Sequence, residues 1–253
     1  MIPLRDRNPT RRTPWVTLLL IALNVAIYFG VQPAESDVAG NVRFNYETAA
    51  VPCELTTGEA LSELEIRSAL QGVEVCQRGD GEYFPDKSVW LAVLYSMFFH
   101  GGLLHLGGNM LYLWIFGNNI EDHLGPVRYL AFYVLAGVAA TAAHVFLNVD
   151  STIPLVGASG AIAGVMGAYL VWFPNAPILT IIPFFIFFFR ELAAKWLLGF
   201  WFVSQFFINP NEGVAWAAHV GGFVFGVLVA LVVRAARPAR RVAVRRAYVD
   251  DWR

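Results

Sequence analysis

Charged residues are scarce in this sequence. Asp, Glu, Lys and Arg together make up 15% of the 253 residues, whereas 57% are hydrophobic and the mean hydropathy is +0.53. This balance leaves more apolar surface than one soluble core of this size normally buries, which indicates a membrane protein. No nucleic-acid-binding motif accompanies the basic residues, so nucleic acid is not expected as a partner.

The sequence also lacks the motifs of several other membrane proteins. No His-Glu-x-x-His and no Cys-x-x-Cys occur, which argues against a metalloprotease or a metal site. Asp80, Asp122 and Asp150 lie in a loop or at segment ends, whereas an intramembrane aspartyl protease needs aspartates within its spans. A transporter or channel would be expected to show an internal repeat, and none is evident in the sequence. We therefore expect no metal and no other cofactor.

Six apolar segments are long enough to be membrane spans, each of which requires roughly 20 predominantly apolar residues. They are Trp15–Val31, Leu103–Ile120, Val127–Leu147, Gly157–Phe173, Glu191–Ile208 and Gly213–Val233. The stretch Pro177–Phe189 is apolar but short and interrupted by Pro183, so we interpret it as an interfacial or re-entrant cytoplasmic piece.

Basic residues are distributed unevenly along the chain. Residues 1–13 and the tail 235–253 are rich in arginine, whereas the segment of about 34–102 holds 11 of the 19 acidic residues. The positive-inside rule then places both termini in the cytoplasm and the acidic segment outside. We expect an integral, multi-pass protein of a bacterial inner membrane, with residues 14–234 as the membrane domain.

Only two cysteines occur, Cys53 and Cys76, and both lie in the acidic outer segment. In an oxidising compartment they can close one disulfide that restrains this long connection. Two unrelated free thiols remain the alternative, because two cysteines specify little.

Ser159 lies within a run of small residues, Val-Gly-Ala-Ser-Gly-Ala-Ile-Ala-Gly. A serine hydroxyl is a weak nucleophile unless a base lies within hydrogen-bond reach. His219 lies near the same end of its own span and is followed by Gly222 and Gly226, so two small-residue faces can bring the two side chains together. The alternatives are a serine that only permits close helix packing and an interfacial histidine bonded to a carbonyl.

His105 and Asn109 are candidate donors to an oxyanion. They are four residues apart in the second predicted span, so they share one helix face, and both side chains can donate to an anion. The backbone N–H of Ser159, near a helix N-terminus, is a third candidate. The alternative is a polar pair that joins helices.

Together these motifs resemble those of the rhomboid family of intramembrane serine proteases. His105-x-x-x-Asn109 is similar to the family's oxyanion motif, Gly157-Ala158-Ser159-Gly160 to its nucleophile motif, and Ala218-His219-x-x-Gly222-x-x-x-Gly226 to its base motif. Residues 117–125, centred on Glu121, resemble its glutamate motif. The resemblance covers roughly Pro14 to Arg234.

The resemblance implies an all-α, polytopic bundle of six transmembrane helices with a long outer loop between spans one and two. It implies a Ser159–His219 dyad that cleaves transmembrane protein substrates near the outer membrane face, with a structural role for Glu121. A catalytically silent relative that binds membrane clients is the alternative. One position departs from the pattern: some members carry an aromatic residue at Ala163 that packs on the base histidine, so the packing partner of His219 must lie elsewhere.

Overall fold

Helices dominate the structure, a computed structural model that describes residues 1–77, 81–184, 186–209 and 213–236. They are α1 (Trp15–Gly30), α2 (Val38–Thr48), α3 (Pro52–Thr57), α4 (Glu63–Leu70), α5 (Val89–Ser96), α6 (Leu103–Leu124), α7 (Pro126–Leu147), α8 (Ser159–Trp172), α9 (Ala194–Ser204) and α10 (Trp216–Ala236). A 3₁₀ turn, Gln205–Phe207, continues α9. A helix therefore occupies each of the six segments predicted as spans.

Length and hydropathy single out two of these helices. Among the described residues, α7 and α10 are long and apolar enough to cross a bilayer, while α1 and α8 are apolar but shorter, with 16 and 14 residues. Large apolar side chains cover the outside of the bundle: Leu104, Phe146 and Trp196 are 93%, 80% and 69% exposed. Such an exterior is typical of a surface that contacts lipid.

The central helix is α8, in which every residue from Gly160 to Tyr169 is buried. A helix that is apolar on all sides is expected inside a bundle. Glycine permits its close contact with α10, because a Cβ added to Gly222 or Gly226 would overlap the backbone carbonyl oxygen of Gly160 or Gly164. The small-residue faces of α8 and α10 thus pack directly against each other.

The prediction of an all-α fold is wrong at two segments. Strands β1 (Ile2–Asp6), β2 (Pro177–Phe184) and β3 (Ile186–Ala193) form an antiparallel sheet in the order β1-β2-β3. The predicted re-entrant piece is therefore a β-hairpin, as its β-branched and aromatic residues favour. The fifth helix of the bundle starts at Ala194 and not at Glu191, because Glu191 still belongs to β3.

Two parts of the sequence-based predictions fall outside the described residues. They are most of the basic tail, residues 237–253, and residues 210–212 between the fifth and sixth predicted spans.

Glu121 binds the start of α1 from the far end of α6. Its carboxylate accepts hydrogen bonds from the backbone N–H of Val16 at 2.9 Å and from the N–H and hydroxyl of Thr17, both at 2.8 Å. Glu121 is 4% exposed and Thr17 is fully buried. The side chain therefore satisfies backbone donors that a helix N-terminus leaves without intrahelical partners.

We expect Glu121→Gln to lower the free energy of unfolding by about 1–3 kcal/mol, because one side-chain oxygen is lost and buried donors are left without an acceptor. Chemical unfolding in detergent measures the change. Asp122→Asn is the matched control, since Asp122 is the partly exposed neighbour and its loss should cost no more than about 0.5 kcal/mol. Equal effects of the two substitutions would show that the hydrogen bonds from Glu121 to the start of α1 do not stabilise the fold.

The acidic segment folds as a small unit beside the bundle. Its core contains Tyr46, Val51, Cys53, Leu61 and Ile66. Cys53 and Cys76 are joined by a disulfide, with an S–S distance of 2.07 Å. Helices α3 and α4 of this unit are separate, because Gly58 adopts a left-handed conformation (φ 83°) that ends α3.

A buried ion pair joins two parts of this segment. Lys87 Nζ lies 2.5 Å from Glu54 Oε2, and both side chains are at most 2% exposed. Burial raises the pKa of the Glu54 carboxyl and lowers the pKa of the Lys87 ammonium, because each charged form loses hydration. Desolvation therefore offsets much of the stability that the ion pair contributes. Removing only one partner destabilises the protein strongly, because the other charge stays buried and unpaired.

We expect Lys87→Met to destabilise the segment by about 3–5 kcal/mol, because the Glu54 carboxylate would stay buried without its cation. Hydrogen exchange of peptides from residues 46–77 measures the loss of protection. The exposed pair of Arg43 and Glu47 supplies the control, and Arg43→Met should cost less than about 1 kcal/mol. Adding Glu54→Leu to Lys87→Met should restore protection, and failure to do so would refute the explanation.

Candidate active site

Ser159 is the first residue of α8, and the loop before it is firmly anchored. Gly157 has φ 128°, a conformation that L side chains rarely adopt, and its N–H donates to the Ser96 carbonyl oxygen at 2.8 Å. The N–H of Leu155 donates to the carbonyl of Ala50 at 2.7 Å. The folded acidic segment and the end of α5 thus determine where the serine hydroxyl lies.

His219 and Ser159 are in hydrogen-bond contact. His219 lies in the first turn of α10, and its Nε2 is 2.8 Å from Ser159 Oγ. The contact follows from the packing of the two glycine faces, because it places the ends of α8 and α10 side by side. The structure therefore brings together the two residues that the sequence singled out as nucleophile and base.

His105 borders the backbone just before Ser159. A Cβ added to Gly157 would lie 2.9 Å from both Nε2 and Cε1 of the His105 ring. The other ring nitrogen, Nδ1, accepts a hydrogen bond from the N–H of Gly101 at 3.2 Å. In the neutral ring the proton therefore sits on Nε2, which makes this nitrogen a donor on the side of the serine.

The Asn109 side chain bonds to the backbone of its own helix. Its side-chain Nδ2 donates to the backbone carbonyl of His105 at 3.0 Å, one turn earlier in α6, and the residue is 6% exposed. The amide is thus bonded within its own helix. Ser159 is the first residue of α8, and the first N–H groups of a helix have no intrahelical acceptor and attract negative charge.

Two residues that contact His219 were missed by the sequence reasoning. Gln205 Oε1 is 2.8 Å from His219 Nδ1, and the Trp201 ring lies 5.8 Å from the His219 ring between centroids, tilted by 39°. Gln205 and Trp201 are therefore packing partners of His219, which Ala163 cannot be. The signal available in sequence was a glutamine inside an apolar helix, which is costly to bury in a membrane and so marks a functional candidate.

The arrangement contains the two groups that activation of a hydroxyl requires, a serine and a base in hydrogen-bond contact. A neutral imidazole nitrogen beside a serine hydroxyl can accept its proton. Within the ranges that the structure describes, no group of three or more His, Cys, Asp and Glu residues could hold a metal ion.

A family model described as Rhomboid domain matches residues 87–236, which is more than half of the chain. This range contains Ser159, His219, His105, Asn109 and Glu121. The chain belongs to the rhomboid family. Rhomboid proteins share a helical, polytopic membrane fold, and the mostly helical structure agrees with it.

Three relatives illustrate the similarity. Rhomboid protein 1, mitochondrial, of Saccharomyces cerevisiae is 30% identical over 147 residues, which are 54% of this chain and 40% of the yeast protein. RHOMBOID-like protein 6, mitochondrial, of Arabidopsis thaliana is 27% identical over 90% of this chain and 72% of its own length. Rhomboid protease AarA of Providencia stuartii is 25% identical over 85% of this chain and 71% of its own length.

These relatives correct the expected location. The yeast and Arabidopsis proteins, and a zebrafish relative that is 32% identical over 148 residues, are named as mitochondrial. These mitochondrial relatives contradict the prediction of a bacterial inner membrane with cytoplasmic termini, which is therefore wrong. The physical reason is that an asymmetry of basic residues reports which ends of the spans share a side and does not report which membrane holds them.

Proposed function

We propose that this rhomboid protein is an intramembrane serine endopeptidase that cleaves transmembrane-segment substrates. The observation that carries the proposal is the 2.8 Å contact between Ser159 Oγ and His219 Nε2 at the joined ends of α8 and α10. The name of the Providencia stuartii relative, a rhomboid protease, supports the same activity.

In the first half of the reaction, Ser159 Oγ attacks the carbonyl carbon of the scissile peptide bond. The C–O bond forms while the hydroxyl proton moves to His219 Nε2, and the carbonyl oxygen becomes an oxyanion. The imidazolium then gives this proton to the leaving nitrogen as the C–N bond breaks. An acyl-enzyme ester on Ser159 and a free amine result.

In the second half, water hydrolyses the ester. His219 Nε2 takes one proton from the water as its oxygen attacks the ester carbon, and a second oxyanion forms. The ester C–O bond breaks, and the proton returns from His219 to Ser159 Oγ. The products are a carboxylic acid and the restored dyad, with no other reactant consumed.

The oxyanion is stabilised by fixed N–H donors. The proposed donors are the His105 Nε2–H, on the side of the ring that faces Gly157, and the backbone N–H of Ser159 at the start of α8, and both are held in place before the reaction. The Asn109 amide uses one of its two N–H groups on the His105 carbonyl, and the second is a further candidate donor to the oxyanion.

The proposed membrane arrangement has six spans, formed by α1, α6, α7, α8, α9 with its 3₁₀ turn, and α10. The membrane domain then comprises residues 14–234, and residues 34–102 lie on the side of Ser159.

A cavity of about 230 Å³ near the start of α6, lined by Glu35, Asn41, Asn45 and His100 among others, provides polar surface for water. A substrate helix must unwind locally to expose a carbonyl, which favours helix-destabilising segments with small residues.

A fluorophosphonate serine probe tests the proposal. The folded wild-type protein in detergent or liposomes should be labelled, and Ser159→Ala should lose the label, because only a serine activated by a base reacts at an appreciable rate. Ser88→Ala is the control, since Ser88 is exposed and lacks a side-chain cap hydrogen bond. A folded wild type that stays unlabelled in both media would favour a silent, client-binding protein.

A further inference from the structure

We propose that Gln205 is a positioning residue that holds His219 in the one neutral tautomer able to accept the serine proton. This inference rests on the proposed protease function. Its basis is a chain of contacts in which Gln205 Oε1 lies 2.8 Å from His219 Nδ1, and His219 Nε2 lies 2.8 Å from Ser159 Oγ. The resemblance to rhomboid proteases implies only the Ser159–His219 dyad.

The orientation of the Gln205 amide is fixed from its other side. Its Nε2 donates to the backbone carbonyl of Trp201 at 3.0 Å and lies 3.4 Å from the hydroxyl of Ser204. Rotating the amide by 180° would place its oxygen against the Trp201 carbonyl, where two acceptors would face each other. The oxygen therefore faces His219.

An amide oxygen can only accept a hydrogen bond, so His219 Nδ1 must carry the ring proton. In the neutral ring Nε2 then has a free lone pair, and that nitrogen is the one in contact with Ser159. The opposite tautomer would direct an N–H at the serine hydroxyl and could not act as a base. Gln205 thus holds the tautomer and orientation of this histidine, as a carboxylate does in a serine protease triad, but without adding a negative charge.

The surroundings of His219 support this role. Gln205 is 4% exposed and begins the 3₁₀ turn that follows α9, so its backbone is held by the helix. The Trp201 ring, four residues earlier in α9, packs against the His219 ring. Among the residues that the structure describes, His105 on α6 and His144 on α7 interact electrostatically with His219, and neither of them is a carboxylate.

Two substitutions separate the acceptor from the rest of the side chain. Gln205→Met and Gln205→Glu both lose the hydrogen bond to the Trp201 carbonyl, but only glutamate keeps an acceptor for Nδ1. Cleavage of a transmembrane substrate by the full chain in liposomes should show kcat reduced about 10- to 100-fold in Gln205→Met, with KM changed by less than about twofold. Gln205→Glu should recover most of kcat at neutral pH. The loss of kcat at acidic pH should begin at a higher pH in Gln205→Glu than in wild type, because a neighbouring carboxylate favours the imidazolium form of His219.

Other outcomes would count against the positioning role or against the protease function, and the two can be told apart. Wild-type kcat in Gln205→Met, or equal impairment and an unchanged pH profile in both variants, would overturn the positioning role. A wild type that neither cleaves nor is labelled by the fluorophosphonate probe would refute the protease function instead.

A further measurement uses the wild-type protein and does not depend on the Gln205 variants folding. The ¹⁵N shifts of the His219 ring in labelled wild-type protein report the tautomer directly, with His219→Gln as the assignment control. Protonated Nδ1 with unprotonated Nε2 is the expected result. The reverse tautomer would overturn the inference whether or not the protein is a protease.

Discussion

His219→Ala should lower the rate of cleavage of a transmembrane substrate by a factor of about 10³ or more, and adding Ser159→Ala should lower it no further. The two side chains form one unit, since the serine is a poor nucleophile without its base and the base has no proton to accept without the serine. Their 2.8 Å contact makes this non-additivity a direct consequence of the geometry. Single-turnover kinetics with wild type, both single variants and the double variant measure it.

His123→Ala is the control for this series. His123 stacks on Trp172 at 4.2 Å, close in sequence to Glu121 and away from Ser159, so its removal should leave the cleavage rate within about threefold of wild type. Additive losses from Ser159→Ala and His219→Ala would show that the two residues act independently. The dyad would then be refuted even if each residue mattered.

Gly222→Ala should reduce both stability and activity, by about 2–3 kcal/mol in the free energy of unfolding and by at least tenfold in fluorophosphonate labelling. The added methyl group would overlap the Gly160 carbonyl oxygen, which is backbone and cannot rotate away. Separating α8 from α10 at this point also separates Ser159 from His219. Unfolding in detergent and the labelling rate give the two quantities.

Gly199→Ala provides the comparison. Gly199 lies within α9, and a Cβ added there would meet no atom within 4 Å. Alanine also has the higher helix propensity, so this variant should be as stable as wild type or slightly more so. If Gly222→Ala behaved like Gly199→Ala, α8 and α10 would not be in the contact described.

Much of the architecture was readable from the sequence. Contact with lipid requires long apolar runs, and such runs are visible locally without knowledge of their partners. The glycine-rich faces of α8 and α10 were equally readable, because close packing in a bilayer demands small residues at a spacing of four. The family match confirms the resemblance that these motifs indicated.

The sheet was not readable in the same way. Strand β1 pairs with β2, so Ile2 lies opposite Ile181, and no local pattern links segments so far apart. The basic N-terminal residues gave no strand signal of their own, and the apolar run of β2 was compatible with several interpretations. The buried Asp6 accepts a hydrogen bond from the Tyr169 hydroxyl at 2.9 Å, which joins this sheet to α8.

The sequence by itself determined which side chains carry the proposed chemistry: Ser159, His219 and His105 stand out because polar groups are costly to bury among apolar and small residues. Only the tertiary structure decided how those side chains are oriented. Gln205 precedes His219 by 14 residues and meets it through the placement of α9 beside α10. Asn109 likewise turns to the carbonyl of its own helix. A hydrogen bond depends on fractions of an ångström between elements, and residue types alone do not specify such distances.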